Sequence, residues 1–305
     1  MDVLICTAKE EDAWRDAMRA CLPEARVHVG LDAPSCEHAV VWKPPVELFE
    51  RQRHLKALFS LGAGVNGLLS MPSLPRDVPL VRMEDGGMAT QMVEYALYVA
   101  LRELRRFRSY EADQAQLRWS PQPLRARHDY SIGVLGLGVL GGAVAGALAD
   151  FGFSVSGWSR TGTTIPLVRC ESGMDGLDAV LAQSQLLMLF LPLTRETTLI
   201  LDRARLSRLP SDAVVVNLSR GELIDDDALL DAVDSGHVAA AYLDVFSSEP
   251  LPPGHRFWRH PRIHITPHVA ALTDVTLACR QVADKIRQLE AGDAITGIVD
   301  RSRGY

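Results

Sequence analysis

Ser131-Ile132-Gly133-Val134-Leu135-Gly136-Leu137-Gly138-Val139-Leu140-Gly141 decides the fold. A short apolar run feeds G-x-G-x-x-G, and an Ala- and Leu-rich stretch from Val139 to Leu148 follows. That order reads as strand, tight turn, helix, the arrangement a dinucleotide requires. Gly136 permits the turn off the strand, Gly138 leaves room for backbone to approach a pyrophosphate, and Gly141 lets the helix pack close on the strand. The helix start, with Val139 and Leu140 in its first turn, then directs free N–H groups and its positive dipole end at the phosphates.

Outward from this stretch the chain alternates strand and helix. Downstream, Ser154–Trp158, Leu186–Leu191, Ala213–Asn217, Ala239–Asp244 and Ile263–Thr266 read as strands. The continuous apolar runs of Leu186–Leu191 and Ala213–Asn217 suit strands covered on both faces, and Asp225–Asp234 reads as a polar-faced helix. The repeated βα pattern predicts an α/β fold with a Rossmann-type, doubly wound parallel sheet. Upstream, Val3–Cys6, Val27–Val29, Ala39–Trp42, Ala57–Leu61 and Leu80–Arg82 read as further strands, with a helix over 13–22. No glycine fingerprint follows Val3–Cys6, so this half is expected to hold substrate rather than dinucleotide. Helical runs are expected over Met88–Phe107 and Thr273–Glu290, the latter with Val275, Ala278, Cys279, Val282 and Ile286 at helical spacing. Ser109 to His128, including Trp119-Ser120-Pro121-Gln122-Pro123, reads as an extended connector. The second long helix can return the chain to the first domain. The expected organisation is therefore discontinuous: 1–95 with 276–305 as a substrate-binding domain, and 96–275 as the dinucleotide-binding domain.

Composition excludes several classes. The chain has 305 residues, 47% apolar and 23% charged, enough for a large core in two domains. Its net charge of −6, with no basic block, argues against nucleic acid as a partner. No apolar run approaches a membrane span, and the Met-Asp start lacks an export signature, so a cytoplasmic protein is expected. Cys6, Cys21, Cys36, Cys170 and Cys279 are odd in number and lack a Cys-x-x-Cys pair, which predicts free thiols rather than disulfides or zinc.

Three segments follow strand-like runs, where open α/β sheets gather their active sites. They are Asn217-Leu218-Ser219-Arg220-Gly221, Leu243-Asp244-Val245-Phe246 through Glu249-Pro250-Leu251, and Thr266-Pro267-His268-Val269-Ala270. Taken singly, Arg220 and Glu249 read as solvated surface charges and His268 as a satisfied buried histidine. His264 and His268 stand four apart, but Pro267 and the β-branched run argue against a helix, so no metal pair is expected.

Taken together, these segments resemble the D-2-hydroxyacid dehydrogenase family, whose catalytic set is Arg, Glu and His in this chain order. The resemblance spans nearly the whole chain. It is closest to the glyoxylate/hydroxypyruvate reductase A branch, through Val41-Trp42-Lys43-Pro44-Pro45, Leu61-Gly62-Ala63-Gly64-Val65, Glu84-Asp85-Gly86-Gly87-Met88 and the ending Val299-Asp300-Arg301-Ser302-Arg303-Gly304-Tyr305. It implies a flavodoxin-like α/β substrate domain beside the Rossmann domain, and a homodimer. It also implies NAD(P)-dependent hydride transfer to a small 2-oxo acid. In that scheme His268 donates the proton, Glu249 orients it and favours its protonated form, and Arg220 binds the carboxylate and polarises the carbonyl. Backbone N–H groups of Ala63, Gly64 and Val65 complete the carboxylate cradle, and Trp42 walls a short pocket. Leu191, Pro192, Leu218 and Ser219 border the cofactor, and Asp244 lies near its nicotinamide end.

An acidic residue about 20 positions beyond the glycines ordinarily selects NAD. Here that place is occupied by Gly157-Trp158-Ser159-Arg160-Thr161. With no carboxylate to repel a 2′-phosphate, and with Arg160 and the hydroxyls of Ser159 and Thr161 to bind it, NADP(H) is the preferred cofactor and NAD(H) the possible one. Glyoxylate and hydroxypyruvate suit a short pocket. This chain departs from the branch around Ala89–Gln91 and Ser247–Ser248, which leaves pyruvate or a longer 2-oxo acid open. Two rivals stand beside this reading: a non-catalytic dinucleotide sensor, since corepressors share the fold, and a formate or phosphite dehydrogenase of the same superfamily.

Overall fold

The computed structural model describes residues 1–8 and 10–305. The chain folds as two units, Met1–Met88 with Leu272–Tyr305, and Ala89–Ala271.

The first unit runs β1 (Asp2–Thr7), α1 (Glu11–Cys21), β2 (Arg26–Val29), β3 (His38–Trp42), α2 (Leu48–Arg51), β4 (Ala57–Ser60), α3 (Asn66–Leu69) and β5 (Leu80–Val81). Its strands pair parallel in the order β2-β1-β3-β4-β5, that of flavodoxin-type sheets. Alternate strand residues Leu4, Ala39, Val41, Leu58 and Leu80 pack with Leu48, Phe49, Leu68 and Val299. The C-terminal helix Val275–Ala291 packs on α1. It buries Ala278, Cys279, Val282, Ala283 and Ile286, while α1 buries Trp14 and Met18. Asp274 caps that helix by accepting from the Leu277 N–H, and Gly292, at φ 81°, terminates it.

The second unit is entered on α4 (Met88–Leu104) and continues through α5 (Phe107–Ala115), β6 (Ser131–Leu135), α6 (Val139–Asp150), β7 (Ser154–Trp158), β8 (Arg169–Glu171), α7 (Gly173–Gln183), β9 (Leu186–Leu189), α8 (Arg203–Leu206), β10 (Ala213–Asn217), α9 (Asp226–Asp234), β11 (Val238–Leu243) and β12 (Ile263–Ile265). The C-terminal helix is thus α10. The strands form one parallel sheet, β12-β11-β10-β9-β6-β7-β8. Alternation along them feeds two cores. Leu135, Leu187, Leu189, Val215 and Leu243 face Leu181 of α7 and Leu229 of α9. Ile132, Val134, Met188, Val216 and Tyr242 face Val99 of α4 and Val144 of α6. Helices on both faces explain the absence of a polar side in these strands. The doubly wound fold expected from the βα repeat is the one observed, and the order of strands reverses between β6 and β9, where such sheets bind ligands.

Two expectations need correction. The long helix predicted over Met88–Phe107 ends at Leu104. Arg106 turns left-handed at φ 58°, and α5 occupies the start of the stretch expected to be an extended connector. Charge pairs across the bend hold it: Arg108 Nη2 to Glu103 Oε2 at 3.0 Å, and Arg102 forked onto Glu111. No glycine or proline announces this bend. The strand expected over Leu186–Leu191 stops at Leu189, because the chain turns away after Phe190 N–H donates to Leu135 O. In addition, β8 and α7 occupy a stretch for which the sequence reading named no element, although Leu177, Val180 and Leu181 of α7 are buried at helical spacing.

Among the described residues no helix is long and apolar enough to cross a membrane. All five cysteines are free thiols.

Candidate active site

At the end of β6 the glycines take up three different tasks. Gly136 has φ +100°, and a Cβ there would stand 2.7 Å from the Phe190 carbonyl carbon. A Cβ on Gly141 would reach 1.9 Å from Gly136 O, so α6 sits directly on the turn. Gly138, by contrast, has open space where its Cβ would be. The two flanking glycines are thus required by packing, whereas the middle one is required by nothing in the protein itself. A bare backbone facing open space at the start of a helix whose amides lack partners fits a phosphate ligand. Across the switch point, Leu191 is buried, and Pro192 O accepts from Thr197 Oγ1 at 2.6 Å.

At the end of β7, Ser159 N–H donates to Glu171 O at 3.1 Å, while Ser159 Oγ is buried with no partner in the protein. An orphaned hydroxyl beside the exposed Arg160 and Thr161 suits an additional anionic group on the adenosine side of a dinucleotide. The nearest acidic side chain in β8, Glu171, is instead engaged by Arg169 Nε at 2.7 Å.

The three residues Arg220, Glu249 and His268 follow the neighbouring strands β10, β11 and β12. Asn217, the last residue of β10, builds the first loop: its Oδ1 accepts from Ser219 N–H and Oγ, and its Nδ2 donates to Arg220 O at 2.8 Å. Leu218 is buried, which anchors this loop. Arg220 Nη1 donates to Ser219 O at 2.5 Å. Burial pulls the Arg220 guanidinium below its ordinary pKa, against the opposing pull of the Glu249 and Glu222 carboxylates. Gly221 presses this loop on the next one, since a Cβ there would lie 2.0 Å from the Phe246 carbonyl carbon.

Glu249 is held from both ends. Phe246 N–H donates to Oε1 at 3.1 Å, and His268 Nδ1 lies 2.7 Å from Oε2. His268 adopts φ 55°, left-handed for a non-glycine residue. Asp244 sets that geometry. Its carbonyl accepts from His268 N–H at 2.8 Å, its Oδ1 from Thr266 Oγ1 at 2.6 Å and Val269 N–H at 2.9 Å, and its Oδ2 from Ala270 N–H at 2.9 Å. Asp244 is 1% exposed, so its carboxylate serves the 266–270 loop first. Sequence reading did not identify this anchoring task or Thr266 as its partner, nor Asn217 as the residue that shapes the Arg220 loop; a hydroxyl and an amide next to strand ends were the available signals. His264, on β12, stacks on Tyr242 with ring centroids 4.4 Å apart and stands apart from this group. Among the described residues no cluster of His, Cys, Asp and Glu is arranged to hold a metal.

In the first unit, Trp42 ends β3 and the 61–65 loop follows the adjacent β4. The Trp42 ring covers Gly62: a Cβ there would stand 2.2 Å from a ring carbon. Ser60 Oγ accepts from Gly62 N–H and Thr273 Oγ1 donates to Leu61 O, fixing the loop that carries Ala63, Gly64 and Val65. Trp42 remains 40% exposed, with Lys43 Nζ 5.9 Å from its ring centre.

Residues 97–270 match the family model of the D-isomer specific 2-hydroxyacid dehydrogenase, NAD binding domain. The fold is also similar to three solved structures. One is a D-isomer specific 2-hydroxyacid dehydrogenase from Xanthobacter autotrophicus Py2 in complex with NADPH and MES (37% identity, 99% of each chain covered, TM-score 0.95). Another is the NADPH-dependent glyoxylate/hydroxypyruvate reductase of Sinorhizobium meliloti in complex with NADP and sulfate (36% identity, 100% of this chain and 99% of that one, TM-score 0.93). A third is a D-isomer specific 2-hydroxyacid dehydrogenase family protein from Klebsiella pneumoniae 342 (34% identity, 99% and 98% covered, TM-score 0.88).

Proposed function

The chain belongs to the D-isomer specific 2-hydroxyacid dehydrogenase family, and from that premise we propose that it reduces small 2-oxo acids with NADPH, glyoxylate and hydroxypyruvate foremost. The observation that carries this reading is the 2.7 Å contact between His268 and Glu249 on the loop adjoining Arg220, at the carboxyl ends of β10 to β12.

Reduction of a 2-oxo acid places a hydride on the carbonyl carbon and a proton on its oxygen. The dinucleotide supplies the hydride. The G-x-G-x-x-G turn from Gly136 to Gly141, with Val139 and Leu140, is assigned to its pyrophosphate. Leu191, Pro192, Leu218, Ser219 and the face of Asp244 are assigned to its nicotinamide half. The orphaned Ser159 hydroxyl, Arg160 and Thr161 are assigned to a 2′-phosphate, which favours NADP(H) over NAD(H). The complexes of similar enzymes with NADPH and NADP support that choice.

With Nδ1 of His268 engaged by Glu249, Nε2 is the nitrogen left to give its proton to the carbonyl oxygen. Arg220 pairs with the substrate carboxylate and stabilises the charge that develops on the carbonyl. The N–H groups of Ala63, Gly64 and Val65 and the ring of Trp42 are assigned to substrate, in keeping with a short side chain. The first unit is thus read as the substrate-binding domain and the second as the dinucleotide-binding domain. A homodimer working in the cytoplasm completes the proposal. The presence of Arg220, Glu249 and His268 together disfavours a non-catalytic sensor.

The test is a kinetic panel of 2-oxo acids against NADPH and NADH. NADPH oxidation with glyoxylate or hydroxypyruvate at the highest kcat/KM is expected. Tight NADPH binding with no turnover of any 2-oxo acid would instead establish a sensor.

A further inference from the structure

His268 holds a left-handed backbone conformation that is unfavourable for a non-glycine residue, and such conformations persist only where the surroundings enforce them. Enforcement comes from Asp244, which receives four hydrogen bonds from residues 266–270. The Thr266 hydroxyl has one proton, and it goes to Asp244 Oδ1. Tyr95 Oη lies 2.9 Å from Thr266 Oγ1. Since that oxygen has no proton left to give, the phenol must be the donor. The direction of the chain of bonds is thereby fixed: Tyr95 to Thr266 to Asp244. Tyr95 stands half-buried on α4 among the apolar residues that pack that helix on the sheet, and burial pushes its pKa above the ordinary value, which keeps the phenol proton in place. Serial donation polarises each bond in turn and strengthens the last.

We propose that Tyr95 is a positioning residue for the reduction, holding the His268 loop in its working conformation through the Thr266 hydroxyl and the Asp244 carboxylate. The inference rests on the assignment of His268 as proton donor, and it adds a residue on α4, outside all three loops that carry the reacting side chains.

The full-length protein is tested as Tyr95→Phe, Thr266→Val and Thr266→Ser. With NADPH and glyoxylate, Tyr95→Phe is expected to lower kcat about threefold to tenfold, the size of one lost hydrogen bond, and Thr266→Val by at least as much, since it also removes the bond to the Asp244 carboxylate. KM for NADPH should stay within about twofold, because the bonds removed lie on the His268 loop and not at the glycine turn assigned to the phosphates. Thr266→Ser, which keeps the hydroxyl, should retain kcat. A second readout uses the protein without cofactor. The imidazole NMR signals of His268, assigned by their loss in His268→Gln, should be single and sharp in the parent and broadened or doubled in Tyr95→Phe and Thr266→Val. Unaltered signals in those two variants, or equal loss of kcat in Thr266→Ser and Thr266→Val, would overturn the proposal. A parent protein that turns over no 2-oxo acid sinks the functional assignment instead, and the NMR comparison still decides the relay.

Discussion

His268 Nδ1 and Glu249 Oε2 are 2.7 Å apart, although the two residues sit on separate loops after β12 and β11. On the proposed reading, the carboxylate holds Nδ1 and leaves Nε2 as the nitrogen to face substrate. His268→Gln should lower kcat by about 10²- to 10⁴-fold, the range for a lost general acid. Glu249→Gln preserves shape but removes the charge, and should cost about 10- to 100-fold in kcat, as removal of supporting partners commonly does. Neither change should weaken NADPH binding measured by fluorescence. Equal kcat in Glu249→Gln and the parent would show that the contact is structural.

The Arg220 and Glu249 loops meet through Gly221. Its missing side chain lets the Phe246–Ser247 backbone pass within contact, with a Cβ placed 2.0 Å from one backbone carbon and 2.2 Å from the next nitrogen. Backbone on the far side cannot rotate out of the way as a flexible side chain would. Gly221→Ala should therefore destabilise the protein by about 1–3 kcal/mol, as overpacking does. It should also depress kcat by moving Arg220 relative to Glu249. Urea unfolding and steady-state kinetics on one preparation check both; a variant as stable and active as the parent refutes the contact.

The proposed preference for NADPH turns on Ser159 and Arg160. A charge-assisted bond to phosphate is worth roughly 1.5–3 kcal/mol, so Arg160→Ala should raise KM for NADPH about 10- to 100-fold. KM for NADH should scarcely change. Parallel increases for both cofactors would remove Arg160 from the 2′-phosphate.

The legible parts of the sequence were those where one local pattern carries the physics. Strand β6, its glycines and α6 were visible because turn chemistry and apolar periodicity coincide there. The polar-faced helix read over Asp225–Asp234 is observed as α9, one residue shorter because Asp225 is its cap. The break between α4 and α5 was not, because it depends on the Glu103–Arg108 and Arg102–Glu111 pairs and on a left-handed arginine rather than on glycine or proline. The task of Asp244 was hidden too. Its partners lie 22 to 26 residues further along, and only the pairing of β11 with β12 brings them together.

Acid stability should depend on Glu84. Burial raises its pKa, but hydrogen bonds from Lys285 Nζ and Thr296 Oγ1, each 2.7 Å from Oε2, outweigh that and leave it below the ordinary carboxylate value. A carboxylate with a depressed folded-state pKa contributes stability above its unfolded value of 4.5, and that contribution is lost as pH falls through the folded value. At neutral pH, Glu84→Gln should cost about 1–3 kcal/mol, since it leaves the nearly buried Lys285 ammonium without its counter-charge. Below about pH 4.5 the difference between variant and parent should shrink, because the parent's own carboxyl becomes neutral. Thermal unfolding across pH checks this, and a pH-independent difference would show that shape rather than charge decides it.

Gly62 and Trp42 provide the sharpest test of substrate choice. The Trp42 ring lies over Gly62, with a ring carbon 2.2 Å from where a Cβ would sit, on the loop that carries Ala63, Gly64 and Val65. A methyl group at position 62 must lift the ring, and a ring already 40% exposed has somewhere to go. Gly62→Ala should therefore fold while altering the wall proposed for the substrate. KM for glyoxylate should rise severalfold and KM for NADPH stay constant, because the loop belongs to the first unit and the dinucleotide fingerprint to the second. Trp42→Ala removes the proposed wall outright. It should shift kcat/KM toward longer 2-oxo acids by about 10-fold or more, the discrimination that a methylene or two commonly carries in an apolar pocket. A substrate ranking that is the same in the parent, Gly62→Ala and Trp42→Ala would exclude Trp42 from the pocket, and the preference for short 2-oxo acids would then need another source.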